Sequence, residues 1–303
     1  MIKILQGNCL DKLKELPDQS INTCITSPPY WGLRDYGEGE QLGMEDTPEE
    51  FVNNMVEVFR EVKRVLRDDG TVWLNLGDSY SSGGRTTTTN QSLRGDKDYG
   101  VTRPKPSKGI KPKDLIGIPW RVAFALQQDG WYLRQDIIWH KPNPMPESVK
   151  DRCTKAHEYI FLLSKSPKYY FDNEAIKEDA KFPDGSNTPK SIKAVDGVYS
   201  KNLQKIGANP KRNKRSVWTV TTKPFKGAHF ATFPMDLIEP CVLAGCPENG
   251  TVLDPFGGSG TTGIVASNHN RKAVLIELNT EYIEIARQRI QNQGGLFTDL
   301  EIE

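Results

Sequence analysis

Four consecutive residues near the start of the chain, Ser27, Pro28, Pro29 and Tyr30, combine groups that could hold a polar ligand. The two prolines have fixed backbone angles and no N–H, so the turn offers carbonyl acceptors without competing donors. The Ser27 hydroxyl is a further acceptor, and the Tyr30 ring provides a flat face beside it. The preceding residues, INTCIT, are rich in β-branched side chains and predict a strand that ends at this turn.

A second group of candidate residues follows the apolar stretch TVLD, in the sequence VLDPFGGSGTTG. Glycines let the backbone approach a ligand closely, and a helix predicted to open near Thr261 directs its first N–H groups to the same place. The next predicted strand, KAVLIE, ends with Glu277, whose carboxylate can accept hydrogen bonds from both hydroxyls of a ribose. Together these elements indicate an adenosine-bearing cofactor. A dinucleotide fingerprint or a phosphate loop fits less well, because Asp254-Pro255-Phe256 replaces the first glycine and no Lys-Ser/Thr pair follows.

The elements that must position these residues alternate between strands and helices. A helix is predicted from Thr47, a capping residue that Pro48 and two glutamates follow. A buried strand then follows in GTVWLNL, a helix in DLIGIPWRVAFALQQ and a strand in WYLRQDIIWH. The segment HEYIFLLSKSPKYYFD predicts a strand hairpin, and MDLIEPCVLAG a helix. The alternation predicts an α/β fold whose mostly parallel sheet carries helices on both faces.

Composition limits the class of protein. The chain has 303 residues, 36% hydrophobic and 26% charged, and no apolar run reaches about 18 residues, which predicts a soluble protein without a membrane helix. The five cysteines form no CxxC pair. They therefore predict reduced, mostly buried thiols in a cytoplasmic protein, and neither a disulfide framework nor a metal site.

Charge is concentrated in two segments of polar sequence. Residues 85–113 carry eight Lys or Arg against two Asp, and residues 186–215 carry eight against one, although the net charge of the chain is only +1. Two basic segments on an otherwise acidic chain suggest a polyanionic partner such as nucleic acid. The alternative is a pair of solvated basic loops.

The two motifs together resemble the DNA methyltransferases that methylate exocyclic amines with S-adenosyl-L-methionine. SPPY matches their catalytic tetrad of Asp, Asn or Ser followed by Pro-Pro and an aromatic residue, and DPFGGSGTT matches their cofactor loop. The tetrad precedes the loop and a basic segment separates them, which is similar to the circularly permuted order of the beta class. The resemblance extends from GNCLDKL to EYIEIARQRI and implies a Rossmann-like methyltransferase fold.

The resemblance implies a role for each group of residues. Ser27 and the carbonyl of Pro28 would bind both hydrogens of the target amine, which directs its lone pair toward the methyl group. Tyr30 would stack against a base flipped out of the duplex. The implied catalytic residues are Ser27, Pro28, Pro29 and Tyr30, and the implied cofactor-binding residues are Asn8, His229, Phe230, Asp254, Phe256, Gly258, Ser259, Gly260, Thr261 and Glu277. The expected substrate-binding residues are Trp31, Trp139, His140, Asn143, Lys211, Arg212, Lys214 and Arg215. Family members usually carry Asp where this chain has Asn8.

The same resemblance suggests how the chain is organised and what it binds. Residues 1–172 and 216–303 are expected to form the catalytic domain, residues 173–215 a target-recognition insertion, and residues 79–113 a mobile loop that faces DNA. Expected partners are double-stranded DNA and a cognate restriction endonuclease, with the protein itself a monomer or homodimer.

Three alternatives stay open. Ser at the head of the tetrad is commoner in the N4-cytosine enzymes of the family and Asp in the adenine enzymes, which favours cytosine N4 over adenine N6. RNA and protein-amide methyltransferases use a similar clamp, but their cofactor loop usually precedes it. A non-catalytic DNA-binding relative would keep the fold, and the intact tetrad and glycine turn argue against that reading.

Overall fold

The computed structural model describes residues 1–32, 41–81, 110–180, 210–222, 233–293 and 299–303. Its strands are β1 Ile2–Gln6, β2 Ile21–Thr26, β3 Leu66–Leu76, β4 Tyr132–His140, β5 His157–Ser164, β6 Glu178–Asp179, β7 Lys211–Arg212, β8 Val217–Thr219, β9 Thr251–Asp254, β10 Lys272–Glu277 and β11 Leu300–Ile302. Its helices are α1 Cys9–Glu15, α2 Pro48–Val65, α3 Ile118–Gln128, α4 Met235–Gly245, α5 Thr261–Asn268 and α6 Thr280–Gln293.

One nine-stranded sheet contains most of the strands, in the order β11-β1-β10-β9-β2-β3-β5-β4-β8. Six of its neighbouring pairs are parallel, and the two that involve β5 are antiparallel. The mostly parallel sheet is therefore confirmed. Strands β9 and β10, from the end of the chain, lie between β1 and β2 from its start.

Two hydrophobic clusters, one on each face of the sheet, form the core. Helices α1, α2 and α3 contribute to one cluster, and helices α4, α5 and α6 contribute to the other. Alternate residues of each strand point to opposite faces, as Val72 and Leu74 of β3 in the first cluster and Trp73 in the second illustrate. The predicted covering of both faces by helices is confirmed.

Local sequence explains where the longest helix begins. The Thr47 hydroxyl accepts a hydrogen bond from the Glu50 N–H, the Glu50 carboxylate accepts one from the Thr47 N–H, and Pro48 occupies the first turn. This reciprocal arrangement satisfies two backbone donors that a helix start otherwise leaves unpaired. The helix ends at Val65, and β3 follows without a loop.

The hairpin prediction for residues 157–172 is wrong. Residues 157–164 form β5, whose two edges pair with β3 and β4, so no edge is open for a returning strand. The chain turns instead toward the start of β3, where Tyr170 N donates to Asp69 O. The predicted strands do not include β1, β6, β7, β8 and β11, which have two to five residues each.

The prediction of mostly buried cysteines is confirmed, since Cys9, Cys24, Cys241 and Cys246 are buried and Cys153 is exposed. Among the residues that the structure describes, no helix is both long and apolar enough to cross a membrane.

Candidate active site

Three neighbouring parallel strands bring the two motifs together. Strand β2 ends at Thr26, immediately before Ser27, and pairs with β9, which ends at Asp254 before the glycine turn. Strand β10, on the other side of β9, ends at Glu277. Because parallel strands present their carboxyl ends at one edge of a sheet, the tetrad, the glycine turn and Glu277 are neighbours.

A buried carboxylate links the tetrad strand to the glycine turn. Asp254 Oδ1 accepts hydrogen bonds from the Thr26 hydroxyl at 2.6 Å and from the Phe256 N–H at 3.1 Å, and its Oδ2 accepts from the Thr262 hydroxyl at 2.6 Å. Burial raises the pKa of Asp254 to about 6, and the three donors partly oppose that shift. Asp254 lines the cavity, but its described hydrogen bonds join β2, the glycine turn and α5.

The glycine turn has the backbone geometry that its sequence predicted. Gly258 and Gly260 have φ angles of 50° and 78°, in the left-handed region that favours glycine. A Cβ on Gly257 would lie 2.9 Å from the Cβ of Leu275, so this position packs directly against β10. Helix α5 starts at Thr261, as predicted, directly after Gly260 of the glycine turn.

Glu277 connects the glycine turn to the end of β10. Its Oε2 accepts a hydrogen bond from Gly258 N at 2.7 Å and its Oε1 accepts one from Asn279 N at 2.9 Å. Burial raises the pKa of Glu277, and these two donors oppose the shift. A carboxylate oxygen can accept two hydrogen bonds, so this side chain has the capacity to bind a pair of ligand hydroxyls as well.

A cavity of about 460 Å³ joins the two motifs. The cofactor side of its lining comprises Gly7, Asn8, Cys9, Asp254, Pro255, Phe256, Gly257, Gly258, Ser259, Thr261, Ile276, Glu277, Leu278, Asn279 and Tyr282. The tetrad side comprises Ser27, Pro28, Pro29, Tyr30, Gln41, Leu42, Lys141, Met145, Glu158 and Phe233. The volume, the aromatic side chains and the half-buried carboxylate acceptor of Glu277 fit an adenosine-bearing cofactor.

Some predicted cofactor residues have a structural contact as well as a place in the cavity wall. The side chain of Asn8 accepts a hydrogen bond from Leu10 N at 2.9 Å and so caps α1. Arg289 of α6 donates to the backbone oxygen of Ser259 at 2.6 Å and to the Thr261 hydroxyl at 3.1 Å, which anchors the turn from behind. His229 and Phe230, the other two predicted cofactor residues, lie outside the described residues.

The structure does not bring Trp31 and Trp139 to the cavity wall. Both are buried in the hydrophobic clusters, and their indole N–H groups donate to backbone oxygens of Glu45 and Val220. Packing in the core explains both side chains.

The other predicted substrate residues of this region pair with the segment that follows β8 or with β8 itself. Asn143 exchanges two hydrogen bonds of 3.1 Å with the backbone of Thr222, and His140 Nδ1 lies 3.1 Å from the Thr219 hydroxyl. Neither His140 nor Asn143 lines the cavity among the described residues.

The four predicted basic residues lie on and just after β7. Lys211 and Arg212 form ion pairs with Asp179 and Glu178 across the β6–β7 pair, at 2.7 and 2.9 Å. Lys214 lies 5.1 Å from the centre of the Trp218 ring, and Arg215 is exposed.

Sequence reasoning missed several residues on the tetrad side of the cavity, most notably Lys141, Met145 and Glu158. Glu158 accepts a hydrogen bond from the Tyr30 hydroxyl at 2.7 Å. The one available signal was the place of Glu158 as a charged residue at the start of an apolar strand. The pairing with Tyr30 carried no sequence signal, because it depends on the strand order.

Comparisons with known proteins agree with this geometry. A family model described as DNA methylase matches residues 21–288. The type II methyltransferase M.Cfr9I of Citrobacter freundii is 50% identical over 96% of this chain and 88% of its own length. The type II methyltransferase M.SmaI of Serratia marcescens is 50% identical over 95% of this chain and 90% of its own.

Solved structures show the same fold. PvuII DNA methyltransferase (cytosine-N4-specific) aligns with a TM-score of 0.64 at 20% identity, over 98% of this chain and 94% of its own. A putative DNA modification methylase from Thermus thermophilus, in complex with S-adenosyl-L-methionine, aligns with a TM-score of 0.62 at 22% identity over the whole of both chains. The fold is thus that of the Rossmann-like methyltransferases.

The contacts of Glu277 generate a first prediction. Replacing Glu277 with Gln leaves one acceptor oxygen for two backbone donors and removes the charge available to ligand hydroxyls. We expect the affinity for S-adenosyl-L-methionine, measured by titration calorimetry, to fall by about 1.5–3 kcal/mol. Glu281→Gln, an exposed acid in the first turn of α6, is the matched control and should bind as the wild type does. Equal affinities of the Glu277→Gln variant and the wild type would contradict this assignment.

Proposed function

The chain belongs to the DNA methylase family, and we propose that it transfers a methyl group to the N4 amine of cytosine in double-stranded DNA. The cofactor is S-adenosyl-L-methionine. The observation that carries the proposal is the shared cavity, which Ser27 and Tyr30 line together with the glycine turn and Glu277. A DNA-binding protein without catalysis would not need the two motifs in one cavity.

When bound, the cofactor supplies an activated methyl group on a sulfonium, so the reaction requires no strong base. The protein has to make a poor nucleophile attack, since the lone pair of an exocyclic amine is delocalised into its ring. Ser27 and the carbonyl of Pro28 act as acceptors for the two amine hydrogens, which localises the lone pair toward the methyl donor. The prolines keep these acceptors rigid and offer no competing N–H.

Tyr30 supplies the face against which a flipped base stacks. The ring lines the cavity, and its hydroxyl is engaged by Glu158. An unstacked base therefore meets a ring of fixed position beside the amine acceptors.

The choice of cytosine rests on Ser27. Serine at the head of the tetrad is commoner among the N4-cytosine enzymes that this chain resembles, whereas aspartate is commoner among the adenine enzymes. Methylation of adenine N6 is the second candidate, because adenine presents an equivalent amine to the same two acceptors.

The similarity to type II methyltransferases over nearly the whole chain supports a role in restriction and modification. We propose that the enzyme acts in the cytoplasm on one specific DNA sequence, as a monomer or homodimer, with a cognate restriction endonuclease as its partner. The free cysteines agree with a reducing compartment.

The proposed recognition surface comprises residues 173–215 and 79–113, which contain the two basic segments. We assign target recognition to residues 173–215 and contacts with the DNA backbone to residues 79–113, with the catalytic domain formed by residues 1–172 and 216–303. In the described part of the first segment, Lys211 and Arg212 already have carboxylate partners, whereas Lys214 and Arg215 follow the strand pair and extend the basic charge beyond it.

The modified base tests the proposed function directly. Duplex DNA incubated with the protein and S-adenosyl-L-methionine should yield N4-methylcytosine when its nucleosides are separated by mass spectrometry, and sequencing of the modified DNA should reveal one site. N6-methyladenine would replace the cytosine assignment with the second candidate. Methyl transfer to RNA or protein with none to DNA would overturn both.

Ser27 provides a prediction about the chemical step. Ser27→Ala removes one amine acceptor, and we expect kcat to fall by about 10²-fold or more, with unchanged affinity for S-adenosyl-L-methionine. The control is Ser20→Ala, whose hydroxyl contacts Pro17 O before β2 begins. Turnover of the Ser27 variant within threefold of the wild type would refute the clamp.

The basic segment provides a prediction about DNA affinity. Each cation that neutralises a phosphate contributes about −0.9 to the slope of log affinity against log salt. Replacing Lys211, Arg212, Lys214 and Arg215 with Ala should flatten that slope by up to about 3.6, and the Lys214 and Arg215 pair alone should account for the larger part.

We expect this division because Lys211 and Arg212 would have to exchange their carboxylate partners for phosphates. A control that replaces Lys14 and Arg287, cations on α1 and α6, removes charge elsewhere and should leave the slope unchanged. An unaltered slope in the quadruple variant would return this segment to the class of solvated loops.

A further inference from the structure

The Tyr30 hydroxyl is hydrogen-bonded to a carboxylate on β5, two strands away from β2 in the sheet. Tyr30 Oη donates a hydrogen bond to Glu158 Oε2 at 2.7 Å and lies 3.3 Å from Asn75 Oδ1. Glu158 belongs to β5 and Asn75 to β3, so two strands beyond β2 contribute to the position of one ring. A phenylalanine in the same place would lack this contact.

The Tyr30 ring packs directly against Gly77, where a side chain would collide with it. A Cβ added to Gly77, just after β3, would be 2.4 Å from Cε2 of Tyr30 and 3.1 Å from its Cδ2 and Cζ. A contact of 2.4 Å between carbon atoms is far inside van der Waals separation. Gly77 therefore leaves room for the Tyr30 ring. The hydrogen bond to Glu158 then fixes the position of the hydroxyl end of the ring.

Glu158 is in turn held by a cation of the neighbouring strand segment. Lys141 Nζ forms an ion pair with Glu158 Oε1, and Lys141 also lies 4.2 Å from the centre of the Trp139 ring. The two charged side chains are only 19% and 15% exposed, and Asn75 Nδ2 donates to Glu158 Oε2 at 3.4 Å. With one oxygen on Lys141 and the other on Tyr30, the carboxylate has little rotational freedom.

We propose that Glu158, oriented by Lys141, is a positioning residue for Tyr30. By fixing the phenol hydroxyl, it sets the tilt of the ring and hence the place where a flipped base can stack beside Ser27. This inference rests on the proposed methylation of a flipped base, and it adds a requirement that the tetrad alone does not contain. The amine acceptors and the stacking ring must be aligned with each other, and Glu158 provides the alignment.

A role in stability alone would have different consequences. An ion pair that merely joins β4 and β5 would change the midpoint of unfolding when removed, and it would affect catalysis equally with and without the Tyr30 hydroxyl. A positioning role acts through that hydroxyl. The two substitutions should therefore not add when they are combined.

The test is a double-mutant cycle with Glu158→Gln, Tyr30→Phe and the combined variant, assayed on DNA that contains the site found by sequencing. We expect each single substitution to lower kcat about tenfold, from the loss of one charge-assisted hydrogen bond, and the combined variant to be no slower than the slower single one. The affinity for S-adenosyl-L-methionine should be unchanged, because the polar contacts of Glu158 run to Tyr30, Asn75 and Lys141 and not to the glycine turn.

A fluorescent base reports the positioning step itself. Duplex DNA with 2-aminopurine at the target base brightens when that base leaves the stack and is quenched again when it stacks on a ring. With wild-type protein we expect partial quenching relative to the Tyr30→Ala variant, and with Glu158→Gln an emission closer to that variant. Glu61→Gln, which removes a comparable carboxylate paired with Arg64 on α2 and away from the cavity, should behave as the wild type does.

Two outcomes overturn the inference alone. They are wild-type kcat and emission in the Glu158→Gln variant, or rate losses that multiply in the combined variant. A wild-type chain that methylates no DNA base would overturn the proposed function and this inference with it, so the two failures are distinguishable. If Glu158→Gln lowers the unfolding midpoint, Gly77→Ala supplies an independent displacement of the ring, and it should reproduce the loss of kcat and the change in emission. Normal kcat and emission in that variant would also overturn the inference.

Discussion

The buried carboxylate of Asp254 is the interaction on which the site depends. It is 1% exposed, and its three hydrogen bonds join the last residue of β2, the backbone of the glycine turn and the first turn of α5. A buried charge without such donors would cost several kcal/mol, so the Asp254 carboxylate can be buried only because all three donors are in place. The Thr26 hydroxyl is one residue from Ser27. The same bond that satisfies the carboxylate therefore sets the distance between the tetrad and the glycine turn.

The raised pKa of Asp254 means that the ionised side chain opposes folding, while its hydrogen bonds hold the two motifs together. Burial raises its pKa from 3.8 to about 6, so between these values the folded chain binds a proton that the unfolded chain has released. The contribution of this group to folding stability is consequently greatest at low pH and declines as pH rises through about 6. At neutral pH the fold maintains an ionised carboxylate against its own desolvation. Two threonine hydroxyls and one N–H compensate in part, and the arrangement that results is a rigid join between two motifs.

The sequence contains enough local information to predict the cofactor half of the site. The strand, glycine turn, helix and acidic strand end between residues 251 and 277 are contiguous, so the hydrogen bond from Gly258 N to Glu277 joins residues only 19 positions apart. The tetrad half depends on pairings that no local pattern reveals. Tyr30 and Glu158 are 128 residues apart, and they meet because β5 runs antiparallel beside β3. The mistaken hairpin has the same origin, since an apolar strand followed by aromatic residues looks alike whether its edges are open or occupied.

Tryptophans at strand ends illustrate the limit of reasoning from residue type. Trp139 alternates with His140 along β4, so its ring enters the core on one face while the histidine points to the other, and Lys141 covers the ring from outside. Tyr30 does line the cavity, beside Ser27; it follows a rigid double proline, and its hydroxyl donates a hydrogen bond to Glu158 of the Lys141–Glu158 ion pair. A stacking surface needs an exposed ring face and a fixed orientation. A tryptophan buried in the core has no exposed ring face. Strand β2 lies between β9, which bears the cofactor turn, and β3, which leads to Glu158 through β5. In the proposed function, methyl transfer between a bound cofactor and a stacked base takes place where those two halves of the sheet meet, next to Ser27 at the end of β2.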